Sequence, residues 1–426
     1  MRAPFLVLLL FLFGFLLRLL CASLYQSPLL GDGVEYQRLA LSLLEGKGYL
    51  AVDGHPTSSY PPLQPVLFWI SYTLFGVQDP PMRWIQAALG SVTAIFLYAI
   101  GSFYGGWKRG LLFGFLAAVY VPFLTYSSYY WSLSENLFLF FLVGGIGFLL
   151  RLSHTPSLRN SLAAGLFFGL ASLTRSIALL LSLLGTGWIL WEGRRQKKGF
   201  SLWAFLFLLF FCLTVSPWTL RNYRVHHAWV PVSTDGGHVF WLGNHFSEKG
   251  VGFGNAVEEE KILRRASSEI EESRLFAREN IRFIRENPGR TLRFSLSKFL
   301  WFWYPFDGET HHLGTRYNYW YGILLTLSLL GIGYRRRKWR EDLLFYLFVF
   351  YFTAMAVLFY GQPRFRLPIE PLLIVFASLG ILEIKSHWNS WRVKTGLGLL
   401  FGIHSVLLSS AGPLKELGKK LLGGAF

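Results

Sequence analysis

The chain has 426 residues, of which 53% are hydrophobic and only 15% charged, with a net charge of +17. Soluble domains carry nearer a quarter charged residues, so this composition excludes an ordinary soluble domain and calls for lipid over part of the surface. The positive charge sits in short clusters between apolar runs, the placement that orients a membrane chain, so it does not indicate nucleic acid.

The predicted fold class is an all-α integral membrane protein. Runs such as 5–20, 202–215 and 343–360 approach the ~20 apolar residues that cross a bilayer as a helix, and a β-barrel's alternation is absent. The first run, 4–24, is longer than a signal-peptide core and lacks a small-residue cleavage site, so it is expected as an uncleaved span. The next, 63–77, is short and its start is interrupted by Pro61, Pro62 and Pro65, so it is expected along the membrane face. Spans follow at about 84–104, 111–126, 134–150, 160–174, 176–191, 200–217, 318–334, 342–360, 367–384 and 395–411, about eleven crossings in all. Placing Lys108–Arg109, Arg151 to Arg159, Arg194 to Lys198, Arg335 to Arg340 and Lys385 to Lys394 in the cytoplasm leaves two large segments outside, 25–82 and 218–317. The expected organisation is therefore 1–217 as a transmembrane module with first outer loop 25–82, 218–317 as an outer loop domain, and 318–426 as C-terminal membrane helices. In the outer domain 255–287 reads as one long amphipathic helix stopped by Pro288–Gly289, and 295–304 as an interfacial helix rich in Phe and Trp.

Two acidic positions fall at the same expected membrane depth on the outer side. Asp32 and Glu35 open an amphipathic helix running to about Leu44, and Glu135 begins a span. Each has a plain structural reading as well: Asp32 suits a helix N-cap, and Glu135 suits the dipole of a first turn. Carboxylates at that depth are costly and tend to be functional. Arg175, Arg221, Arg224, Arg364 and Arg366 lie on the same expected side, against the usual charge bias. Each could snorkel to lipid phosphates; together, beside carboxylates, they suit a phosphate-bearing lipid held near a general base. His226–His227, His245 and His311–His312 lack the spacing of a helical metal site, and no metal site is expected from them. No phosphate-cradling loop, Ser–His–Asp spacing or dinucleotide fingerprint is present.

These features run in an order that resembles the C-type (GT-C) polytopic membrane glycosyltransferases, in particular the protein O-mannosyltransferases and bacterial aminoarabinose transferases. The resemblance is carried by Asp32-x-x-x-Tyr36 with Ala40, Leu43–Leu44 and Gly48–Tyr49, then by Tyr60-Pro-Pro-Leu-Gln-Pro65 and Leu74-Phe-Gly76. It continues through Ser134-Glu-Asn-Leu-Phe138, Gly169-Leu-Ala-Ser-Leu-Thr-Arg175, Pro217-Trp-Thr-Leu-Arg-Asn-Tyr223 and Arg364-Phe-Arg-Leu-Pro-Ile-Glu-Pro371. It implies a GT-C fold with outer juxtamembrane helices, and transfer of a sugar from a polyprenyl-phosphate donor to an acceptor hydroxyl with inversion. In that scheme Asp32 is the base, Glu135 the second acidic residue, and Glu35 stands near where many relatives carry a glutamate directly after the aspartate; here that place is Gly33. Tyr36, His55, Tyr60, Arg175, Arg221, Asn222, Arg364 and Arg366 are the expected substrate-binding residues. The implied partners are the lipid-linked donor, a lipid, glycan or protein acceptor, and membrane lipids, with no nucleic acid. No cofactor is required, although two nearby carboxylates leave room for a divalent cation, as in the oligosaccharyltransferase branch. The implied setting is a bacterial inner membrane with the site facing outward. A flippase for lipid-linked sugars would use the same arginines without a base at Asp32, and a scaffold would need neither; an O-antigen ligase or polymerase is closer in chemistry.

Overall fold

The computed structural model describes residues 2–391 except 26, 198, 248–249, 252–255 and 308–315, together with 394–396, 398 and 402. The chain divides at Thr234/Asp235 into two compact units.

The first unit opens with α1 (Arg2–Leu24), whose leucine and phenylalanine run makes it apolar all round. The short helices α2 (Asp32–Leu44) and α3 (Leu63–Phe75) pack on one another. Next comes α4 (Asp79–Phe103), with Pro80 and Pro81 in its first turn, where a missing N–H removes no helical bond. The expected span at 111–126 is instead broken: α5 (Trp107–Val119) and α6 (Val121–Ser128) meet at 52°. Tyr120 is extended there, and Pro122 in the first turn of α6 has no N–H with which to continue the bonding of α5. Then come α7 (Glu135–His154), α8 (Leu158–Thr174), a 3-10 turn at Ser176–Ala178, α9 (Leu181–Arg195) and α10 (Ser201–His226). Ser157 caps α8 by accepting from the Asn160 amide at 3.3 Å.

The spans of this unit share two distinct ends. At one, Arg83 of α4 donates to the Ser27 carbonyl at 2.6 Å, Asn136 of α7 donates to Gln86 Oε1 at 2.7 Å, and Arg175 after α8 reaches Glu135. At the other, Phe103 stacks on His154 at 5.4 Å and Gln196 donates to the Ser153 carbonyl at 3.0 Å. The basic residues Lys108, Arg109, Arg151 and Arg194 adjoin this second end, so charge is segregated along the bundle.

In the second unit α11 (Gly236–Leu242) packs on α13 (Glu269–Glu286), with α12 (Ala256–Leu263) between them in sequence. One long helix over 255–287 is thus corrected to two. Ser268 restarts the chain by accepting from the Glu271 amide at 3.3 Å, while the Glu271 carboxylate accepts from the Ser267 amide at 2.9 Å, a reciprocal capping arrangement. Asn287 and Pro288 end α13 and open α14 (Pro288–Trp303) directly. It is followed by α15 (Tyr319–Arg335), α16 (Leu343–Leu358), a 3-10 stretch at Pro363–Ile369 and α17 (Glu370–Ser386). Two-residue antiparallel pairs join 246–247 to 250–251 and 306–307 to 316–317.

This is a polytopic α-helical membrane protein. Among the described residues six helices are long and apolar enough to cross a bilayer, or seven if the bent α5–α6 pair makes one span, in place of the eleven expected. The shortfall is geometric. Three expected spans, α8, α15 and α16, have 17, 17 and 16 residues. At about 1.5 Å per residue they measure about 24–26 Å, under the ~30 Å hydrocarbon core. The expected last span at 395–411 falls largely outside the described residues, as do His311–His312.

Candidate functional site

Asp32 is the first residue of α2 and does not cap it. That position belongs to Gly31, at φ 50°, a left-handed conformation that glycine adopts without strain. The turn aims α2 against the segment before α7 at close range. A β-carbon at Gly33 would sit 2.5 Å from the Ser132 β-carbon, so only glycine fits there. The glutamate that many resembled proteins carry after their aspartate has no room at this position.

One turn after Asp32, Tyr36 is buried, with its ring edge-on to Tyr60 at 5.6 Å. Its hydroxyl donates to Ser134 Oγ at 3.4 Å, and Arg175 Nη1 reaches the same oxygen at 3.5 Å. Arg175 Nη1 also donates to Glu135 Oε1 at 2.8 Å; the Glu135 side chain is 4% exposed and that of Arg175 19%. The Tyr36 phenol is pushed far above its ordinary range, first by burial and then by the Asp32 charge; Glu135 adds to this, while the Ser134 hydrogen bond and Arg175 oppose it. Asp32, Glu135 and Arg175 thus each act electrostatically on Tyr36, and the buried Glu135 carboxylate fixes the Arg175 guanidinium.

Other expected site residues are engaged differently. Glu35 pairs with Arg38 at 2.8 Å, and Arg38 Nη1 donates to the Leu50 carbonyl at 2.7 Å, tying α2 to the following loop. His55 is exposed on the turn closed by the Leu50–Pro56 bridge. Arg221 donates to the Thr57 carbonyl at 2.7 Å, to Ser58 Oγ at 2.8 Å and to the Tyr49 carbonyl at 3.1 Å, with its guanidinium over the Trp218 ring. Fully buried Asn222 accepts from Ser58 at 2.8 Å and donates to the carbonyls of Val230 and Val232. These two residues clamp the 49–58 loop to the end of α10, and Tyr60 follows directly from that loop. In the second unit Arg366 is buried, donating to the Tyr304 carbonyl at 2.8 Å and lying 3.7 Å from the Tyr321 ring centroid, with Glu370 at 3.4 Å. Arg364, half-buried, lies over the Phe365 ring at 5.9 Å.

Ser58 carries no mark in the sequence, and Ser134 enters there only as part of the Ser134-Glu-Asn-Leu-Phe138 motif, without a role of its own. Isolated serines carry no periodic signal; only the Asp-Gly departure at 32–33 marked the close contact.

Residues 59–220 match the family model described as dolichyl-phosphate-mannose-protein mannosyltransferase. The matched segment contains Tyr60, Glu135 and Arg175, while Asp32 precedes it. No curated protein matches the chain in sequence. Among solved structures it is similar to the oligosaccharyltransferase AglB from Archaeoglobus fulgidus, in complex with an inhibitory peptide and a dolichol-phosphate. Identity is 14%, coverage 99% of this chain and 56% of that one, and the TM-score 0.59. The same oligosaccharyltransferase in complex with Zn and sulfate gives 16% identity, 98% and 53% coverage, and a TM-score of 0.58. The chain thus spans about half the length of that protein. ArnT from Cupriavidus metallidurans gives 14% identity over 89% of this chain and 78% of that one, with a TM-score of 0.40.

The Zn in that relative prompts a test of the residues here. Among the described residues no three His, Cys, Asp or Glu side chains converge as cation ligands, and Glu135 lies against Arg175. Residues 59–220, under half of the chain, thus match the dolichyl-phosphate-mannose-protein mannosyltransferase model, and the chain as a whole shares its fold with the oligosaccharyltransferase AglB.

Proposed function

We propose that the protein transfers a sugar from a polyprenyl-phosphate donor to an acceptor hydroxyl at the outer face of a bacterial inner membrane, with inversion at the anomeric carbon. The observation that carries this reading is the Glu135–Arg175 pair at 2.8 Å, which acts on Tyr36 together with the Asp32 carboxylate. A dolichol-phosphate in the AglB structure supports a lipid-phosphate donor, and the inhibitory peptide there supports an acceptor reaching the same fold.

Asp32 takes the proton from the acceptor hydroxyl as that oxygen attacks the anomeric carbon from the face opposite the phosphate. The new glycosidic C–O bond forms while the bond from the sugar to the phosphate oxygen breaks. Polyprenyl phosphate leaves with the electron pair, its growing charge met by Arg175, which Glu135 and Ser134 hold in place before the substrate arrives. Tyr36 and Tyr60, edge to face, form an aromatic wall suited to a sugar. Arg221 and Asn222 act through the loop they fix. The charge segregation of the first unit supports the orientation, since its basic end suits the cytoplasm and the Asp32 end the outside.

The test is transfer of radiolabel from a panel of polyprenyl-phosphate sugars in membranes holding wild type or Asp32→Asn at matched expression. Loss of a general base lowers turnover by about 10²–10⁴-fold. Transfer by wild type and its loss in the variant support the proposal. Equal transfer by both removes Asp32 from the mechanism, and movement of the lipid across the bilayer without transfer selects a flippase instead.

A further inference from the structure

A groove of about 680 Å³ lies between the end of α1 and the start of α4, lined by Leu19 and Leu20 on one side and by Asp79, Pro80, Arg83 and Trp84 on the other. Its size falls within the range of small-molecule sites, about 300–1,000 Å³. It opens on a surface that only acyl chains would cover in a bilayer: Leu20 is 54% exposed, Leu24 68% and Trp84 54%. Two opposite charges, Asp79 and Arg83, stand one helical turn apart on the same face of α4.

Arg83 is fixed in place. It donates to the Ser27 carbonyl at 2.6 Å and to the Tyr25 carbonyl at 3.4 Å, and its guanidinium lies 4.8 Å from the Trp131 ring centroid. Those bonds use two of its five N–H groups, leaving donors of the geometry that phosphate accepts. Trp84, exposed one residue along α4, is of the type enriched in the headgroup zone.

We propose that this groove seats one zwitterionic phospholipid, with an acyl chain along Leu19, Leu20 and Trp84, its phosphate on Arg83 and its ammonium toward Asp79. A purely anionic headgroup would satisfy Arg83 but set a negative charge beside Asp79. A zwitterion matches both signs. The bound lipid also bears on the candidate site, although its binding does not depend on that site's activity. Ser27 accepts from both Arg83 and the Trp131 indole and donates to the Tyr129 carbonyl, so the groove wall is continuous with the strap that leads to Asp32.

The experiment uses the full chain, purified in detergent, stripped of lipid, and mixed with equal dioleoyl-phosphatidylethanolamine and dioleoyl-phosphatidylglycerol; retained lipid is read by native mass spectrometry. Wild type is expected to retain one phosphatidylethanolamine in preference. Arg83→Gln is expected to reduce that retention about tenfold, the loss of one charge-assisted hydrogen bond. Asp79→Asn, which leaves Arg83 intact, is expected to shift retention toward phosphatidylglycerol. Ser23 of α1 also lines the groove, and Ser23→Trp, which fills it, is expected to abolish retention at an unchanged melting temperature. Retention of neither lipid by wild type, a wild-type preference for phosphatidylglycerol, or full retention by folded Ser23→Trp would each overturn the proposal.

Discussion

Glu135 and Asp32 are both carboxylates at one end of the bundle, yet their surroundings give them different work. Glu135 is buried against a guanidinium, so its charge is spent on holding Arg175; Asp32 lies at the start of a half-exposed helix. Removing one partner of a buried pair costs about 3–5 kcal/mol, because the other charge is left without compensation. Glu135→Gln is therefore expected to lower the melting temperature and weaken donor binding together, whereas Asp32→Asn leaves the melting temperature near wild type; thermal unfolding of the two purified variants checks this. Gly33 gives a second prediction. Alanine favours helices over glycine by about 1 kcal/mol, but here its β-carbon meets Ser132. Overpacking of this kind costs about 1–3 kcal/mol, so Gly33→Ala should lower both stability and transfer. Stability at or above wild type with full transfer would show that α2 does not need this close approach. The acidic pair and Arg175 were legible in the sequence because charge is scarce near the spans. Arg221 and Asn222 were legible as a motif but not as a clamp, since their partners at 49–58 lie over 160 residues away in the chain.

Helix ends explain where elements departed from expectation. The break at 264–268 was written in Ser268-x-x-Glu271, a capping signal that the strong amphipathic pattern across 255–287 masked. The α5–α6 bend was written in Pro122, inside a run apolar enough to pass as one span. The α11–α12 contact adds a pH-dependent feature. His238 faces Glu259 through Nε2 at 2.9 Å and Asp235 through Nδ1 at 3.3 Å. Only the imidazolium can donate from both nitrogens. Burial alone would lower its pKa, but the hydrogen bonds and charges of Asp235 and Glu259 outweigh that and raise it above 6.5. A raised folded pKa gives stability that is fully present below the unfolded value and is lost as pH rises through the folded one. Amide protection over 256–263, taken relative to the intrinsic base-catalysed exchange rate, should fall above that pH in wild type and show no such fall in His238→Gln. Lys298 has the opposite sign. Buried and bonded to Asn244 Oδ1 at 2.9 Å, it is lowered by burial to about 7. The folded state therefore bears its penalty fully below about pH 7 and is relieved as pH rises toward 10.5. The pH 6 to pH 9 change in melting temperature should be more positive in wild type than in Lys298→Met.

For the whole molecule, hydropathy established the membrane class and the family resemblance established the fold, because both depend on long-range pattern and tolerate local error. Among the described residues length and composition qualify six or seven helices against the eleven crossings expected, a count that depends on where each helix stops to within one turn. Charge also lies deep within α1: Arg18 is fully buried, donating to the carbonyls of Gly14 at 3.1 Å and Ala118 at 3.4 Å, within a run whose neighbours are leucine and phenylalanine. The proposed mechanism divides the work at one end of the first unit, with Arg175 for the phosphate and Asp32 for the proton. The most direct test is equilibrium binding of polyprenyl phosphate to wild type, Asp32→Asn and Arg175→Gln, measured beside sugar transfer by the same preparations. The expected result is that Asp32→Asn binds the lipid as wild type does and fails to transfer, while Arg175→Gln loses binding by about tenfold or more. Wild-type affinity in Arg175→Gln, or loss of binding in Asp32→Asn, would contradict that division.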